Sequence, residues 1–148
     1  MIEIRFSCFE TNSSSVHVLV IPKDTKLYIP DHVHLHTGEY GWENDKEYDT
    51  LDYMYTACKE RGQEEVDKFL NYLKSKGVEE IDCHDSDWYY VDHGNELPLD
   101  DLFANENLLD RFLFGEDSYV QTGNDNGDDC PDEDNYDKEI YDIIVKYN

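Results

Sequence analysis

The stretch SVHVLVI, residues 15–21, constrains the fold more than any other part of this 148-residue chain. On an extended backbone its three valines point to one side, and Ser15, His17, Leu19 and Ile21 point to the other. β-Branched and apolar side chains on both faces are typical of a strand inside a sheet. We therefore predict a central strand here, with a serine and a histidine where its polar end meets the core.

The neighbouring N-terminal residues predict two more strands. Residues 2–8 alternate between apolar and polar side chains, which is the pattern of a half-buried strand. The polar stretch 10–14 is typical of a turn, so it predicts a hairpin loop between this strand and the central one. A third strand is expected at Lys26–Ile29, between two prolines.

Apolar residues at helical spacing predict two helices in the middle of the chain. The first is expected to begin at the capping-box-like pair Asn44 and Glu47 and to continue to Cys58. The second follows Gly62 and ends at Gly77, where a left-handed C-terminal cap is expected.

The second half of the chain predicts shorter elements. Short helices are expected at 98–104 and 105–114, and strands at 78–83, 87–91 and 118–121. An acidic loop at 123–135 and an amphipathic helix at 136–148 are expected to close the chain. These elements predict a single α+β domain over residues 1–148, with a small, mainly antiparallel sheet covered by amphipathic helices.

The composition is strongly acidic. There are 36 Asp and Glu against 12 Lys and Arg, giving a formal net charge of −24. Such a chain repels nucleic acid and anionic lipid and is attracted to basic surfaces, although high solubility or adaptation to salt would favour the same composition. No secretory leader or long apolar run is evident, and the four cysteines form no CxxC pair, so we expect a cytoplasmic protein with reduced thiols.

Ser13, Ser15 and His17 are the first candidate site, because residues two apart share one face of an extended chain. A hydroxyl within reach of an imidazole is the minimum for a nucleophile and its general base, and backbone N–H groups in a serine-rich turn can bind an anion. A self-bonded turn, together with a histidine satisfied inside the core, explains the same residues.

Asp92 and His93 follow an apolar strand in the stretch WYYVDHGN, at an end where functional loops are common. In an enzyme, His93 would act as an acid or base, and Asp92 or Asp125 would orient an imidazole. A turn around Gly94 explains these residues equally well.

Two stretches are candidate cation sites. In HVHLH, the residues His32, His34 and His36 alternate with two apolar residues, so all three imidazoles share a face and could bind zinc. A polar strand face, with Val33 and Leu35 packed inward, is the favoured alternative. The acidic loop resembles a calcium loop, but Thr122 holds the position where Asp is required, which leaves only weak divalent-cation binding.

Three stretches resemble those of a set of small tailed-bacteriophage proteins with no established activity. They are FETNSSSVH near the N-terminus, YYVDHGN in the middle, and RFLFGEDSYVQTGNDN late in the chain. The resemblance implies a protein made in the cytoplasm of a bacterial host. The polar residues within these stretches, which the resemblance suggests meet in one pocket, are His17, Asp92, His93, Asn124 and Asp125.

Charge and setting together predict an acidic phage protein that binds and inhibits a host nucleic-acid-binding enzyme, as DNA mimics and anti-CRISPR or other anti-defence proteins do. The partner would be a basic host nuclease, polymerase or CRISPR effector, with no direct binding to nucleic acid or membrane. The residues predicted to supply the negative field are Asp82, Asp85, Asp87, Asp100, Asp101, Glu116, Asp117, Asp128, Asp129, Asp132, Glu133, Asp134 and Asp137.

Two other functions remain open. The first is an enzyme acting on a phosphate-containing small molecule or a nucleic-acid end, with the serine turn and His17 as its chemical groups. The second is a phage structural or assembly component. No cofactor is required by any of the three functions.

Overall fold

A computed structural model of the chain describes residues 3–6, 15–41, 46–92, 97–124 and 133–146. The strands are β1 (Glu3–Phe6), β2 (Ser15–Pro22), β3 (His32–His36), β4 (Glu39–Tyr40), β5 (Lys46–Tyr48), β6 (Glu80–His84), β7 (Tyr90–Val91), β8 (Tyr119–Asn124) and β9 (Tyr141–Lys146). The helices are α1 (Thr50–Arg61), α2 (Gln63–Ser75), α3 (Leu99–Ala104) and α4 (Glu106–Phe114), with one 3₁₀ turn at Glu133–Asn135.

β2 is the central strand of the main sheet, as its apolar pattern predicts. The five strands have the order β1-β9-β2-β8-β5. β2 pairs antiparallel with both β9 and β8, and all eight of its residues are buried. β5 pairs antiparallel with β8, while β1 pairs parallel with β9. The described elements thus form the predicted α+β fold with a mainly antiparallel sheet.

The predicted C-terminal helix at 136–148 is wrong: its described part contains β9. The spacing of Ile140, Ile143 and Ile144 fits a helix, but the run Ile143–Val145 is also β-branched on both faces. In the sheet, Ile144 joins the main core, while Ile143 and Val145 join the opposite cluster. Pairing with the otherwise open edge of β2 decides the conformation, because tertiary contacts outweigh local periodicity.

The predicted N-terminal hairpin is also wrong. β1 and β2 are not neighbours, because β9 lies between them and pairs with both. A hydrophobic alternation defines a strand but does not identify its partner. The third strand expected at Lys26–Ile29 is reduced to a single bridge between Leu27 and Gly115.

The first helix begins later than predicted. Lys46–Tyr48 is strand β5, and α1 starts at Thr50 with Asp49 as its N-cap, whose side chain accepts a hydrogen bond from the backbone N–H of Asp52 at 3.0 Å. Asp is as good a cap as Asn, and it is Asp49 that caps the helix.

The remaining helices confirm their predictions. α2 is followed by Gly77 with φ of 114°, the positive value expected for its cap, and α3 and α4 lie where two short helices were expected. The predicted strands at 78–83, 87–91 and 118–121 correspond to β6, β7 and β8. Residues 123 and 124, which were predicted to start the acidic loop, belong to β8, and residues 125–132 lie outside the described ranges.

Helices cover one face of the main sheet. α4 contacts β2, and α1 contacts β8 together with two small parallel sheets, β3–β6 and β4–β7. Leu19, Ile21 and Val120 from the sheet share one buried cluster with side chains from the helices. The other face of the sheet carries a smaller cluster of four valines and one isoleucine, packed against Tyr119, Tyr136 and Tyr141.

The longest helix in the described ranges has 13 residues. None of the described helices has both the length and the apolar character that crossing a bilayer requires. Of the two cysteines in these ranges, Cys58 is buried and Cys83 is exposed, and both are free thiols. Burial raises the pKa of the Cys58 thiol to about 12, so it stays protonated.

One buried ion pair connects α4 to the sheet. Nη1 of Arg111 donates to Oδ2 of Asp142 on β9 at 2.8 Å and to the carbonyl oxygen of Pro22 at 3.2 Å, and its Nε donates to Asn107 at 3.0 Å. The two charged side chains are only 11% and 5% exposed. Each charge therefore depends on the other for the solvation that burial removes.

Replacing Arg111 with Met is expected to lower the free energy of unfolding by about 3–5 kcal/mol, because it leaves the buried Asp142 carboxylate without its partner. Urea unfolding followed by circular dichroism measures the change. The matched control is Lys68→Met, which removes an exposed contact with Asp100 and should cost at most about 1 kcal/mol. Equal losses in both variants would contradict the role given to this pair.

Candidate functional site

The polar end of β2 brings three distant segments together. Ser15 and His17 begin the strand, and their partners on β8 are Asn124 and Thr122. Asp92 follows β7 and contacts Ser15. The three stretches that carry the phage resemblance therefore meet at this end of the sheet.

A chain of short hydrogen bonds connects these residues to α1. Oγ of Ser15 lies 2.7 Å from Oδ2 of Asp92 and 2.9 Å from Nε2 of His17. Nδ1 of His17 lies 2.7 Å from the hydroxyl oxygen of Tyr53. Ser15, His17 and Tyr53 are buried, and Asp92 is half-buried.

The direction of each proton follows from the donors available. Burial raises the pKa of Tyr53 well above its usual value, so its hydroxyl is protonated, and its hydrogen-bond partner in the described ranges is His17. A buried hydroxyl with one partner donates to it, which makes Nδ1 of His17 the acceptor and places the imidazole proton on Nε2. Nε2 then donates to Ser15, and Ser15 donates to the Asp92 carboxylate.

This polarity limits the chemistry of the serine. A serine nucleophile gives its proton to an imidazole, whereas Ser15 gives its proton to Asp92 and accepts one from His17. Ser15 and His17 are also 0% exposed. The arrangement therefore resembles a satisfied polar network in the core more closely than a nucleophile and general base.

Aromatic packing fixes the tyrosine end of this network. The ring of Tyr40 meets that of Tyr53 edge to face, with centroids 5.0 Å apart, and meets Tyr48 in the same manner at 4.9 Å. Burial, and then the charge of Asp52, raises the pKa of Tyr40, so this phenol is protonated too. Tyr53 thus has little freedom to leave His17.

The structure brings together Ser15, His17 and Asp92 from the predicted catalytic set. Ser13, His93 and Asp125 lie outside the described residues. Thr122 is buried in β8 opposite His17, so it belongs to the sheet, and residues 125–132 of the calcium-like stretch lie outside the described ranges.

The histidine-rich stretch forms the predicted strand face. In β3, Val33 and Leu35 are buried, while His32, His34 and His36 are all exposed on the other side. β6 pairs with β3 in parallel and adds Asp82 and His84 to the same face.

The predicted acidic residues are exposed wherever their side chains are described. They lie after and within β6, in the first turn of α3, in the turn before β8, and around the 3₁₀ turn: Asp82, Asp85, Asp87, Asp100, Asp101, Glu116, Asp117, Asp134 and Asp137. The side chain of Glu133, and all of Asp128, Asp129 and Asp132, lie outside the described part of the chain.

The sequence does not predict two residues that contact the candidate sites, Tyr53 and His84. Tyr53 has the helical spacing of a core residue. The only sign of a polar contact is its hydroxyl group, because a buried phenol needs a hydrogen-bond partner. His84 has the same alternation as the HVHLH stretch, but nothing local shows that the two strands pair. Both contacts depend on tertiary structure.

Neither protein-family models, nor curated proteins, nor solved structures give a match to this chain.

Replacing Tyr53 with Phe is expected to lower the free energy of unfolding by about 1–3 kcal/mol, because Nδ1 of His17 loses its donor inside the core. Chemical denaturation measures the loss. In the matched control Tyr28→Phe, the ring is 73% exposed and the change should stay within about 0.5 kcal/mol. Nitrogen NMR of the native protein should find the proton of His17 on Nε2; a proton on Nδ1 would contradict the assigned network.

Proposed function

We propose that this chain is an acidic phage protein that binds the basic nucleic-acid groove of a host enzyme and inhibits it. The observation that carries the proposal is the placement of the carboxylates. Of the 36 acidic residues, 28 lie within the described ranges, on helices and strands or in the turns between them. Charges at such defined positions give a patterned field, which a charged tail does not.

The basic residues do little to interrupt this field, because several are already neutralised. Lys59 lies 2.9 Å from Asp85, and Lys76 contacts both Glu106 and Asp110. The hydrogen bonds from Tyr55 and Lys59 lower the pKa of Asp85, so its charge persists below neutral pH. Arg111 is buried against Asp142 and contributes nothing to the surface.

One concave surface offers a contact for a basic side chain. It has a volume of about 470 Å³ and is lined by Glu47, Glu116, Asp117, Ser118, Tyr119 and Tyr141. Its carboxylates and tyrosine rings suit an arginine or lysine, which binds both acids and aromatic faces. Burial, and then the charge of Glu47, raises the pKa of Tyr119, so the ring keeps its proton beside the carboxylates.

DNA presents one negative charge per about 1.7 Å of its axis, and enzymes bind it with Lys and Arg. A rigid acidic surface competes for those same residues and is attracted to them over several ångströms. The target class that fits is a nuclease, a polymerase or a CRISPR effector. This target and the phage setting rest on charge and on the resemblance of three stretches.

A second candidate is an enzyme acting on a phosphate-containing small molecule or a nucleic-acid end. The convergence of Ser15, His17 and Asp92 favours it. The complete burial of the first two residues, the direction of the serine proton and the charge of −24 weigh against it. We therefore place the inhibitor first.

The test is competition with DNA on an enzyme captured from a nuclease-treated bacterial lysate. The protein should displace a fluorescently labelled duplex from the enzyme, and its affinity should fall steeply with salt. Glu116→Gln with Asp117→Asn should weaken displacement by about tenfold, a loss of roughly 1.4 kcal/mol. The matched control, Asp31→Asn with Glu79→Gln, neutralises two exposed acids outside the concave surface and should weaken displacement less.

His17→Ala separates the two candidates, provided that circular dichroism shows the variant to be folded. An inhibitor retains displacement, because this histidine is buried, whereas an enzyme loses turnover. Capture without displacement of DNA, or displacement that is independent of salt, would contradict the inhibitor.

A further inference from the structure

Two parallel strands place nitrogen and oxygen ligands on one exposed face. In the register of β3 with β6, His34 lies opposite Asp82 and His36 opposite His84. His32 lies one step along β3, two residues before His34. Because alternate residues of a strand share a face, all five side chains project to the same side.

The ligand atoms lie close together. Nε2 of His32 is 2.6 Å from Oδ2 of Asp82, and Nδ1 of His34 is 3.9 Å from the same oxygen. One ligand atom from each of these three residues lies within 4.8 Å of the other two. Nε2 of His84 is 3.1 Å from Nδ1 of His34.

The three separations just given lie within about 1 Å of those in a tetrahedral zinc site, and the His84 ring must turn toward His32 and Asp82 to complete it. With zinc–nitrogen bonds of about 2.0–2.1 Å, neighbouring ligand atoms of a tetrahedron are about 3.3 Å apart. The separation between His34 and His84 is already near this value. The shorter and longer separations around Asp82 need only small side-chain rotations, which exposed residues make freely.

We infer that His32, His34, Asp82 and His84 form a binding site for a divalent transition metal ion, with Zn²⁺ as the best fit. The site goes beyond the proposed inhibitor function and does not depend on it. Three imidazoles and one carboxylate would connect β3 to β6, a two-stranded sheet.

The ligand chemistry selects the metal. Imidazole nitrogens favour Zn²⁺, Cu²⁺ and Ni²⁺, whereas Mg²⁺ and Ca²⁺ prefer oxygen ligands. Oδ2 of Asp82 faces both His32 and His34, so this carboxylate oxygen lies where a cation held by the two imidazoles would bind. Nδ1 of His34 and Nε2 of His84 face each other at 3.1 Å, so both nitrogens lie where they could bind one metal ion.

His36 is the matched control on the same face. Its ring stacks on that of His84 with centroids 4.6 Å apart, but its Nδ1 lies 3.9 Å from Asp52 of α1. The side chains of His34 and His36 are 53% and 57% exposed, so replacing either one disturbs the surface equally. They differ in that only His34 is near Asp82.

The experiment titrates Zn²⁺ into metal-stripped protein by isothermal titration calorimetry in excess Mg²⁺, which occupies the many surface carboxylates. We expect saturable binding of one Zn²⁺ per chain. His34→Gln and Asp82→Asn should each weaken it by at least about tenfold, and His36→Gln by no more than about twofold. Co²⁺ in place of Zn²⁺ should give the visible absorption of a tetrahedral complex.

Two results would overturn the site. One is the absence of saturable Zn²⁺ binding to the wild-type protein in Mg²⁺. The other is an equal loss in His36→Gln and His34→Gln, which would indicate diffuse binding by the surface. Circular dichroism verifies that the variants are folded, and the Co²⁺ spectrum of the wild-type protein tests the geometry without any variant.

Discussion

The central position of β2 is the constraint on which the rest of the structure depends. Its backbone is paired on both sides, by β8 and β9, and both of its faces are buried. Water does not reach such a strand, so its polar side chains are not hydrated. Ser15 and His17 therefore need protein partners, and Asp92 and Tyr53 supply them. The polar network is therefore a consequence of the burial of β2 inside the apolar sheet.

The central position of β2 also determines which charged residues are buried and which lie on the surface. A core closed around β2 leaves most charged residues outside, with Arg111 and Asp142 as a buried pair that anchors α4. The carboxylates then lie on elements whose positions the core determines. The histidine face of β3 and β6 lies on a separate small sheet, so a metal ion bound there would leave the main sheet undisturbed.

The elements that the sequence predicts correctly are those whose conformation is determined by nearby residues. β2, α2 and α4 follow from their apolar patterns and caps. The C-terminal strand was missed because Ile140, Ile143 and Ile144 satisfy a helical spacing as well as a strand, and only the open edge of β2 selects between them.

In the candidate sites, too, the sequence predicts contacts within one strand but not contacts between elements. Spacing correctly put Ser15 beside His17, and put three histidines on one face, because a strand fixes which side chains share a side. It did not identify Tyr53 or His84, since partners on other elements depend on packing and register that no short stretch encodes.

Native-state amide hydrogen exchange, followed by NMR, tests the role of β2 most directly. Strands paired on both sides and buried on both faces open only when the whole domain unfolds. We expect the amides of residues 16–21 to be the most protected in the chain, with an opening free energy equal to the global free energy of unfolding. Exchange of these amides through a local opening, well below that global value, would show that β2 is not the element that holds the fold together.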